Sequence, residues 1–315
     1  MPVSPDSDNP ARRETLAPGP ARSYGKAVFS ALAVAIVLGG VGFAFLALDL
    51  VGPGLSAFIA LPLAMGLVSS LVLGSLRGSL LAGTLAVVVA CAGLLFVGIE
   101  GLVCVVLASP LIFLSSAVGA LAGALLTATV RKKSFLVISL GIVAFAGTST
   151  NELRFGSFGP AYTVIDSVEI EAPIEETWSS VASVSSVRGP KPFLLRLGLP
   201  VPLRCELQDE GTGAKRVCHF DRGRIEELVS VWEPPRRLEA VVVETDLPGR
   251  EWLAFHKAEY VLSPISPHRT RIVRTTWQSS RLRPRWYWKP LETLGTSQEH
   301  EYVLTALKTR LEAGP

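Results

Sequence analysis

The sequence predicts an α-helical transmembrane bundle followed by an α+β domain, in which a curved antiparallel sheet wraps around a long C-terminal helix. Three observations lead to this prediction. Residues 27–147 carry very few charges, the residues after Asn151 alternate in polarity, and the chain ends in a stretch with helical spacing of its apolar residues. The whole chain is 49% hydrophobic and has a mean hydropathy of +0.41. Both values are high for a water-soluble protein.

The apolar block is divided by charges and by Pro/Gly breaks into five segments. A transmembrane helix needs about 20 mostly apolar residues, and four of the segments approach or exceed that length. The segments are Ala27–Leu48, Gly54–Leu76, Ser79–Ile99, Leu102–Val130 and the shorter Ser134–Gly147. We therefore predict a transmembrane domain over residues 27–148 with five spans, or with four if the last segment lies along the membrane surface.

The first 26 residues precede this block. They are rich in Pro, Ser, Asp, Ala and Arg and have no apolar periodicity, which is typical of a disordered tail. A cleaved signal peptide over residues 1–48 is the alternative. Its apolar run is longer than that of a signal peptide, and a second apolar segment follows almost at once. A retained first span and a cytoplasmic tail are therefore favoured.

Charge placement predicts the orientation of the spans. The first 150 residues hold 8 basic and 5 acidic residues, whereas residues 151–315 hold 22 of each. If the spans alternate in direction, the basic residues of the first half all fall on one side: Arg12, Arg13, Arg22, Lys26, Arg77 and Arg131–Lys133. The positive-inside rule makes that side cytoplasmic. This basic excess concerns topology and gives no indication of nucleic-acid binding.

The predicted spans contain no ionisable residue at mid-depth. Pumps, proton relays and voltage sensors place charges there, so the sequence disfavours these classes. Gly119 and Gly123 form a GxxxG pair, which either allows close helix packing or reflects the frequency of small residues in such helices. Cys91 and Cys104 are interpreted as small apolar residues.

The second half has the pattern of an α+β domain. A strand, Tyr162–Glu171, is followed by a short helix, Ile174–Val184, that begins after Pro173. Six strands follow at regular spacing, separated by Gly and Pro turns. They are Arg204–Gln208, Lys215–Asp221, Arg224–Trp232, Arg237–Glu244, Trp252–Leu262 and Thr270–Gln278. A helix over Pro290–Glu312 closes the chain, with apolar residues at helical spacing.

This order of elements, together with several segments, resembles a known superfamily. The segment Val168–Trp178 looks like the opening of START-like domains, also called SRPBCC or polyketide cyclase/dehydrase and lipid transport domains. The later segments Phe220–Gly223, Trp232–Leu238 and Thr270–Arg271 fall where strands and turns of that family would lie. The resemblance covers about residues 162–313, after a predicted linker at 149–161. It implies a helix-grip fold with a cavity between the sheet and the C-terminal helix.

Two cysteines are predicted to form a disulfide. A hairpin centred between Gly211 and Thr212 pairs residues whose numbers sum to 423, and Cys205 and Cys218 satisfy that sum. Residues that pair across antiparallel strands have Cα atoms about 4.5–5.5 Å apart, within the range for a disulfide. Two free buried cysteines are the alternative. Because disulfides persist in oxidising compartments, the pairing favours a fifth span that crosses and an extracytoplasmic C-terminal domain.

No catalytic motif, metal site or cofactor site is predicted. The four histidines are scattered, with no HExxH, CxxC or GxSxG around them. His219 and Glu227 are the one candidate acid–base pair. Arg269, Arg271 and Arg274 are expected on an exposed face of the last strand.

Function is inferred from the fold and from one basic-aromatic stretch. Arg281–Lys289 combines Arg and Lys with Trp and Tyr, which favour anionic lipid and the headgroup region respectively. It is either a cavity mouth at the bilayer or a solvated loop whose aromatics cap the helix. We predict binding of a hydrophobic small molecule or lipid near the bilayer, with Phe193, Phe220, Trp277, Trp286 and Tyr287 at the cavity. A cyclase/dehydratase-type enzyme and a structural or signalling module without a ligand are the alternatives; the oligomeric state is not predicted.

The topology is tested by reporter fusions after Pro315. The charge pattern and the fifth apolar segment predict a cytoplasmic N-terminus and an extracytoplasmic C-terminus. A reporter that is active only outside the cytoplasm should therefore be active in this fusion. Activity of a cytoplasm-only reporter at the same position would contradict the five-span arrangement.

Overall fold

The structure is a computed structural model that describes residues 54–73, 75–97, 101–129, 145–152 and 157–313, with residues 25, 29, 32–33, 36–40 and 42. The predicted N-terminal tail, most of the first span, the Arg131–Lys133 cluster and most of the fifth segment lie outside these residues. The scattered residues before position 43 are helical, and so are residues 145–152 (α4).

Three helices of the first half are long and apolar enough to cross a membrane: α1 (Ser56–Leu73), α2 (Leu76–Val97) and α3 (Leu102–Thr129). They correspond to the second, third and fourth predicted spans. The first turn of α1, Ser56–Ala60, is a π-helix, and α3 continues through Pro110. A transmembrane helical part is thus compatible with the described residues.

Helices α1 and α3 approach each other closely at glycines. A Cβ on Gly119 would lie 2.0 Å from the carbonyl oxygen of Leu63, and one on Gly66 would lie 1.9 Å from that of Ser116. Gly123 also faces α1, at Ser70 and Leu67. Any larger residue at these positions would separate the backbones. The GxxxG pair therefore lies at a close helix–helix contact.

The second half is a seven-stranded antiparallel sheet with three helices. The strands lie in the order β1-β7-β6-β5-β4-β3-β2. In chain order the elements are β1 (Tyr162–Ile170), α5 (Ile174–Ala182), α6 (Phe193–Leu197), β2 (Pro202–Leu207), β3 (Lys215–Phe220), β4 (Arg224–Glu233), β5 (Arg237–Thr245), β6 (Leu253–Ser266), β7 (Arg269–Ser280) and α7 (Arg285–Glu312). The predicted helix-grip fold class is confirmed.

Local chemistry explains the helix starts. Helix α5 begins after Pro173 and has Glu175 and Glu176 in its first turn, where negative charge is favoured by the helix dipole. Helix α7 begins at Arg285, five residues before the predicted start. Pro290 lies inside α7, in its second turn, and its missing N–H removes one backbone hydrogen bond there.

The C-terminal part of α7 packs on the concave face of the sheet. Val303, Leu304 and Leu307 are buried against Ile272 and Leu262 of the central strands. Helix α5 adds Trp178, whose ring meets that of Trp232 edge-on at 5.0 Å between centroids. This apolar core fixes the helix across one end of the curved sheet.

Cys205 on β2 and Cys218 on β3 are directly opposite each other in the sheet register, with Cα atoms 4.0 Å apart, and are joined by a disulfide. Cys91 and Cys104 are not part of this bridge. The register is the one that the hairpin arithmetic predicts. A bridge around so short a loop is expected to stabilise the domain by about 2–3 kcal/mol.

Thiol labelling tests the bridge in the full chain. Denatured but unreduced protein should take up two labels, at Cys91 and Cys104, and reduction should raise the number to four. A Cys205→Ser/Cys218→Ser variant provides the control, because it should take up two labels with or without reductant. Four labels on the unreduced wild-type chain would contradict the disulfide.

Candidate ligand-binding cavity

A cavity of about 650 Å³ lies between the sheet, helix α7 and the apolar helices of the first half. Its inner wall is formed by residues of the strands, among them Phe220, Ile225 and Val242. Its outer wall is formed by apolar residues of the first half. These are Ile36, Gly39, Ala57, Phe58, Met65, Val87, Val103, Leu107, Ala108 and Ile112. The cavity therefore extends from the concave face of the sheet into the helical bundle.

The two halves meet at the first turns of α7. The ring of Trp288 lies 4.9 Å from that of Phe58, centroid to centroid, and both side chains are buried in one apolar cluster with Ala108 and Leu111. The Tyr287 hydroxyl donates a hydrogen bond to the carbonyl oxygen of Leu107. The aromatic part of the basic-aromatic stretch thus contacts the apolar helices directly.

A carboxylate joins the end of α4 to the start of α1. Glu152, at the end of α4, accepts hydrogen bonds from the backbone N–H groups of Leu55 and Ser56 and from the Ser56 hydroxyl. These N–H groups belong to the start of α1, where they have no partner within the helix. A negative charge at a helix N-terminus is also favourable. The predicted linker at 149–161 therefore begins within a helix that is anchored to α1.

One wall of the cavity carries two ion pairs. Arg216 Nη1 donates to Glu227 Oε2 over 2.7 Å. Arg274 Nη2 lies 2.9 Å from Glu299 Oε2. The Tyr260 ring lies between the two guanidinium groups, 5.7 Å from Arg216 Cζ and 5.4 Å from Arg274 Cζ. Glu227, Arg274 and Glu299 line the cavity, so the cavity has a charged inner end and an apolar outer end.

The buried carboxyl of Glu299 is shifted towards its protonated form. Burial raises the pKa of Glu299, although the Arg274 guanidinium acts in the opposite direction. Desolvation penalises the charged form of an acid. The net charge of the two pairs therefore becomes more positive when this carboxyl takes up a proton.

A hydrogen-bonded relay runs from the cavity wall through His300 of α7 to Asp166 of β1. His300 is fully buried; its Nδ1–H donates to Asp166 Oδ2 over 2.8 Å, and its Nε2 accepts from the Thr276 hydroxyl over 2.8 Å. Burial lowers the pKa of His300 to about 2, with a smaller contribution from the positive charge of Arg274. The imidazole is therefore neutral at physiological pH, and Thr276 is the member that lines the cavity.

A third polar group lies nearer the apolar helices. Glu292 lines the cavity and accepts hydrogen bonds from the hydroxyl groups of Tyr162 and Ser280. Arg285, about two helical turns earlier in α7, lies 2.9 Å from the same carboxylate. Every bond of this network stays within the C-terminal half, so it fixes the start of α7 against β1 and β7.

The predicted ligand-binding residues lie in different places. Phe220 lines the cavity. Phe193 is 58% exposed, beside Leu194, which does line it. Trp277 lies on the outer face of β7, because its neighbour Thr276 faces the cavity. These assignments remain predictions, and the geometry favours Phe220 among the three.

The two aromatics of the basic-aromatic stretch also differ. Trp286 is 70% exposed, whereas Tyr287 is half-buried against the helical bundle. Neither residue is among those that line the cavity, whereas their neighbour Trp288 lines it. Trp288 was not among the predicted ligand-binding residues, although it belongs to the same stretch as Trp286 and Tyr287.

The expected exposure of Arg274 is wrong, and one candidate acid–base pair does not form. Arg274 lies inside, because alternation along the strand places it on the same face as Ile272 and Thr276, and it lines the cavity together with Thr276. The acid–base pair of His219 and Glu227 does not form. Glu227 on β4 is opposite Arg216 on β3, and His219, three positions from Arg216, faces the other side of the sheet. Glu227 faces Arg216 instead, and His219 Nε2 lies 3.7 Å from Glu206 Oε2.

In the part of the chain that the structure describes, no group of three or more His, Cys, Asp or Glu side chains is placed to hold a metal ion. The acidic residues of the cavity are instead engaged by arginines and hydroxyl groups.

The burial of His300 predicts a specific pH dependence of stability. The pKa of this histidine is about 6.5 in the unfolded chain and about 2 in the folded one, so between these values the unfolded state binds one more proton. Stability is therefore full above pH 6.5 and falls below it. On moving from pH 7 to pH 5, wild type should lose about 2 kcal/mol more than His300→Gln. Equal falls of the unfolding midpoint in both proteins would contradict the buried neutral histidine.

Comparisons with known proteins find similarity in the C-terminal half only. No family model matches the chain, and no curated protein matches it. A START superfamily protein from Mycobacterium smegmatis is 14% identical, with a TM-score of 0.36, over 48% of this chain and 97% of that one. The Zhui aromatase/cyclase from Streptomyces sp. R1128 is 18% identical, with a TM-score of 0.36, over 49% and 94%. Norcoclaurine synthase from Thalictrum flavum is 11% identical, with a TM-score of 0.35, over 50% and 89%. Each of these matches covers about half of this chain.

Proposed function

We propose that this chain is an integral membrane protein whose C-terminal domain binds a hydrophobic small molecule or lipid next to the bilayer. The observation that carries the proposal is the continuity of the cavity. One wall belongs to the concave face of the sheet and to α7, and the other belongs to helices long and apolar enough to span a membrane. A molecule held there contacts both halves at once.

The size and lining of the cavity support a small apolar ligand. Ligand pockets typically have volumes of about 300–1,000 Å³ and are lined mainly by apolar groups with a few polar ones. The volume here is about 650 Å³, and side chains such as Phe220, Val242, Leu253 and Leu291 dominate the wall. A hydrophobic metabolite or a single lipid chain fits this volume and this chemistry.

The apolar surface of α2 and α3 beside the cavity supports exchange with the bilayer. Helices α2 and α3 expose large apolar side chains, among them Leu81, Phe96 and Leu125. Such surfaces are stable when they face lipid, and the cavity reaches between these helices at Val87 and Val103. A lipid-like molecule that enters there does not pass through water.

The open space between the sheet and α7 weighs against a module without a ligand. In such a module we expect large side chains to fill the space between the sheet and the C-terminal helix. Here α7 turns Gly295 and Thr296 towards that space, and the large side chains of the core lie further along the helix at Val303, Leu304 and Leu307. The open space therefore coincides with small residues.

A cyclase/dehydratase-type enzyme is the second candidate. It is favoured by the relay Asp166–His300–Thr276, which ends at a hydroxyl group on the cavity wall. A neutral imidazole that accepts the proton of a hydroxyl group is the arrangement that general-base catalysis requires. The two candidates differ in the molecule recovered after incubation, since a carrier returns it unchanged and an enzyme returns a converted product.

Filling the cavity tests the proposed function. Gly295→Trp places an indole in the cavity, because Gly295 and Leu199 both line it. Even a Cβ at position 295 would lie 3.3 Å from Leu199 Cδ1. We expect the full chain in detergent to lose at least about tenfold in affinity for an apolar fluorescent probe, or roughly 1.4 kcal/mol. Leu294→Trp is the matched control, because Leu294 is adjacent in α7 but exposed.

The result is interpretable only if both variants fold. Their unfolding midpoints should lie close to that of wild type, and Leu294→Trp should bind the probe as wild type does. Failure of the wild-type chain to retain the probe, or equal binding by both variants, would show that this cavity is not the binding site.

A further inference from the structure

We propose that the charged end of the cavity selects amphiphiles whose head is an uncharged hydrogen-bond acceptor, such as an ester or ketone carbonyl, and that Arg274 and Arg216 bind it. This proposal deepens the proposed function and rests on it. It assigns an orientation in which the head lies inside the domain and the apolar chain extends towards the membrane helices.

The orientation follows from the distribution of polar groups along the cavity. The wall contributed by the first half consists of apolar side chains and glycines. The opposite end carries Glu227, Arg274 and Glu299 from β4, β7 and α7. A molecule with one polar end loses least hydration when that end lies beside the charged groups and its chain beside the apolar ones.

The requirement for an acceptor follows from the hydrogen-bonding state of the arginines. Among the described residues, Arg216 Nε and Nη2 and Arg274 Nε have no hydrogen-bond acceptor in suitable geometry. Arg216 is 2% exposed, so these donors are shielded from solvent. Buried donors without partners are costly, and arginine has only donors. A ligand that matches this end must therefore supply lone pairs.

The preference for an uncharged head follows from the charge balance. The four charges of the Arg216–Glu227 and Arg274–Glu299 pairs cancel when both carboxyls are ionised. An added anion would lie near two carboxylates and an added cation near two guanidinium groups, in surroundings that screen charge poorly. A carbonyl oxygen accepts the spare N–H groups without adding a charge.

The fold holds this end in place. Both guanidinium groups flank the Tyr260 ring, and Tyr260 is itself buried. Arg274 lies on the cavity wall, and Arg216 lies beside the wall residue Glu227. A head group at the wall therefore reaches Arg274 first and Arg216 through a small displacement of Glu227.

The experiment compares four compounds with the same C18 chain for displacement of an apolar fluorescent probe from the full chain in detergent. The compounds are methyl oleate, octadecene, sodium oleate and oleylamine. Methyl oleate should displace the probe at a concentration at least about tenfold below that of the others. Hydrogen bonds to charged groups are strong enough for this difference.

Charge-balanced variants assign the effect to the arginines. Arg216→Gln/Glu227→Gln should remove most of the advantage of methyl oleate and leave octadecene unchanged, and comparison with wild type cancels partition into micelles. Arg274→Gln/Glu299→Gln is the second variant, in case the first fails to fold. The control is Glu169→Gln/Arg269→Gln, an ion pair of 2.6 Å on the outer face, which should change nothing.

Each other outcome overturns the proposal. Equal displacement by methyl oleate and octadecene would show that the head is not recognised, and a preference for oleate would show an anion site. Equal weakening of all four compounds in the variants would show that the arginines are only structural. If the wild-type chain does not retain the probe at all, the proposed function itself fails, which is a different result.

Discussion

The architecture depends on how the concave face of the sheet is covered. A seven-stranded curved sheet presents more apolar surface than one helix can remove from water. The C-terminal turns of α7 bury their share with Val303, Leu304 and Leu307. The first turns of α7 diverge from this core and pack with Trp288 on Phe58 of the membrane-type helices. The remaining sheet surface is therefore covered by the other half of the protein, and the space left between them is the cavity.

This arrangement explains why charged groups occur so far inside. A buried ion pair rarely stabilises a fold more than apolar side chains of similar volume would, so Arg216–Glu227 and Arg274–Glu299 are not needed for packing alone. The pairs balance each other in charge and share Tyr260 as a neighbour. Together they form a polar end without net charge in a cavity whose wall is mostly apolar. Such an end is suited to orienting an amphiphile rather than to attracting an ion.

The sequence predicted what depends on local pattern or on short loops. Span positions follow from runs of apolar residues, and the seven strands were located with their ends four residues or fewer from the observed ones. The Cys205–Cys218 register followed because a short hairpin determines which residues are opposite. The polar relay did not follow, since Asp166 and His300 are 134 residues apart. The inward orientation of Arg274 was missed because it was grouped with Arg269 and Arg271, which are exposed, although strand alternation places Arg274 on the opposite face, with Ile272.

The relay of Asp166, His300 and Thr276 bears on the choice between carrier and enzyme. A histidine whose pKa is about 2 cannot donate a proton at neutral pH, and both its nitrogens already have partners. It can therefore act on a ligand only as a base, through the hydroxyl of Thr276. Dehydration and cyclisation also require a proton donor for the leaving or forming oxygen. In the cavity that donor is Glu299, whose pKa is raised by burial but whose carboxylate is held by Arg274. The same contacts that make the inner end a well-ordered binding surface thus restrain the groups that catalysis would use, which favours binding as the function of this site.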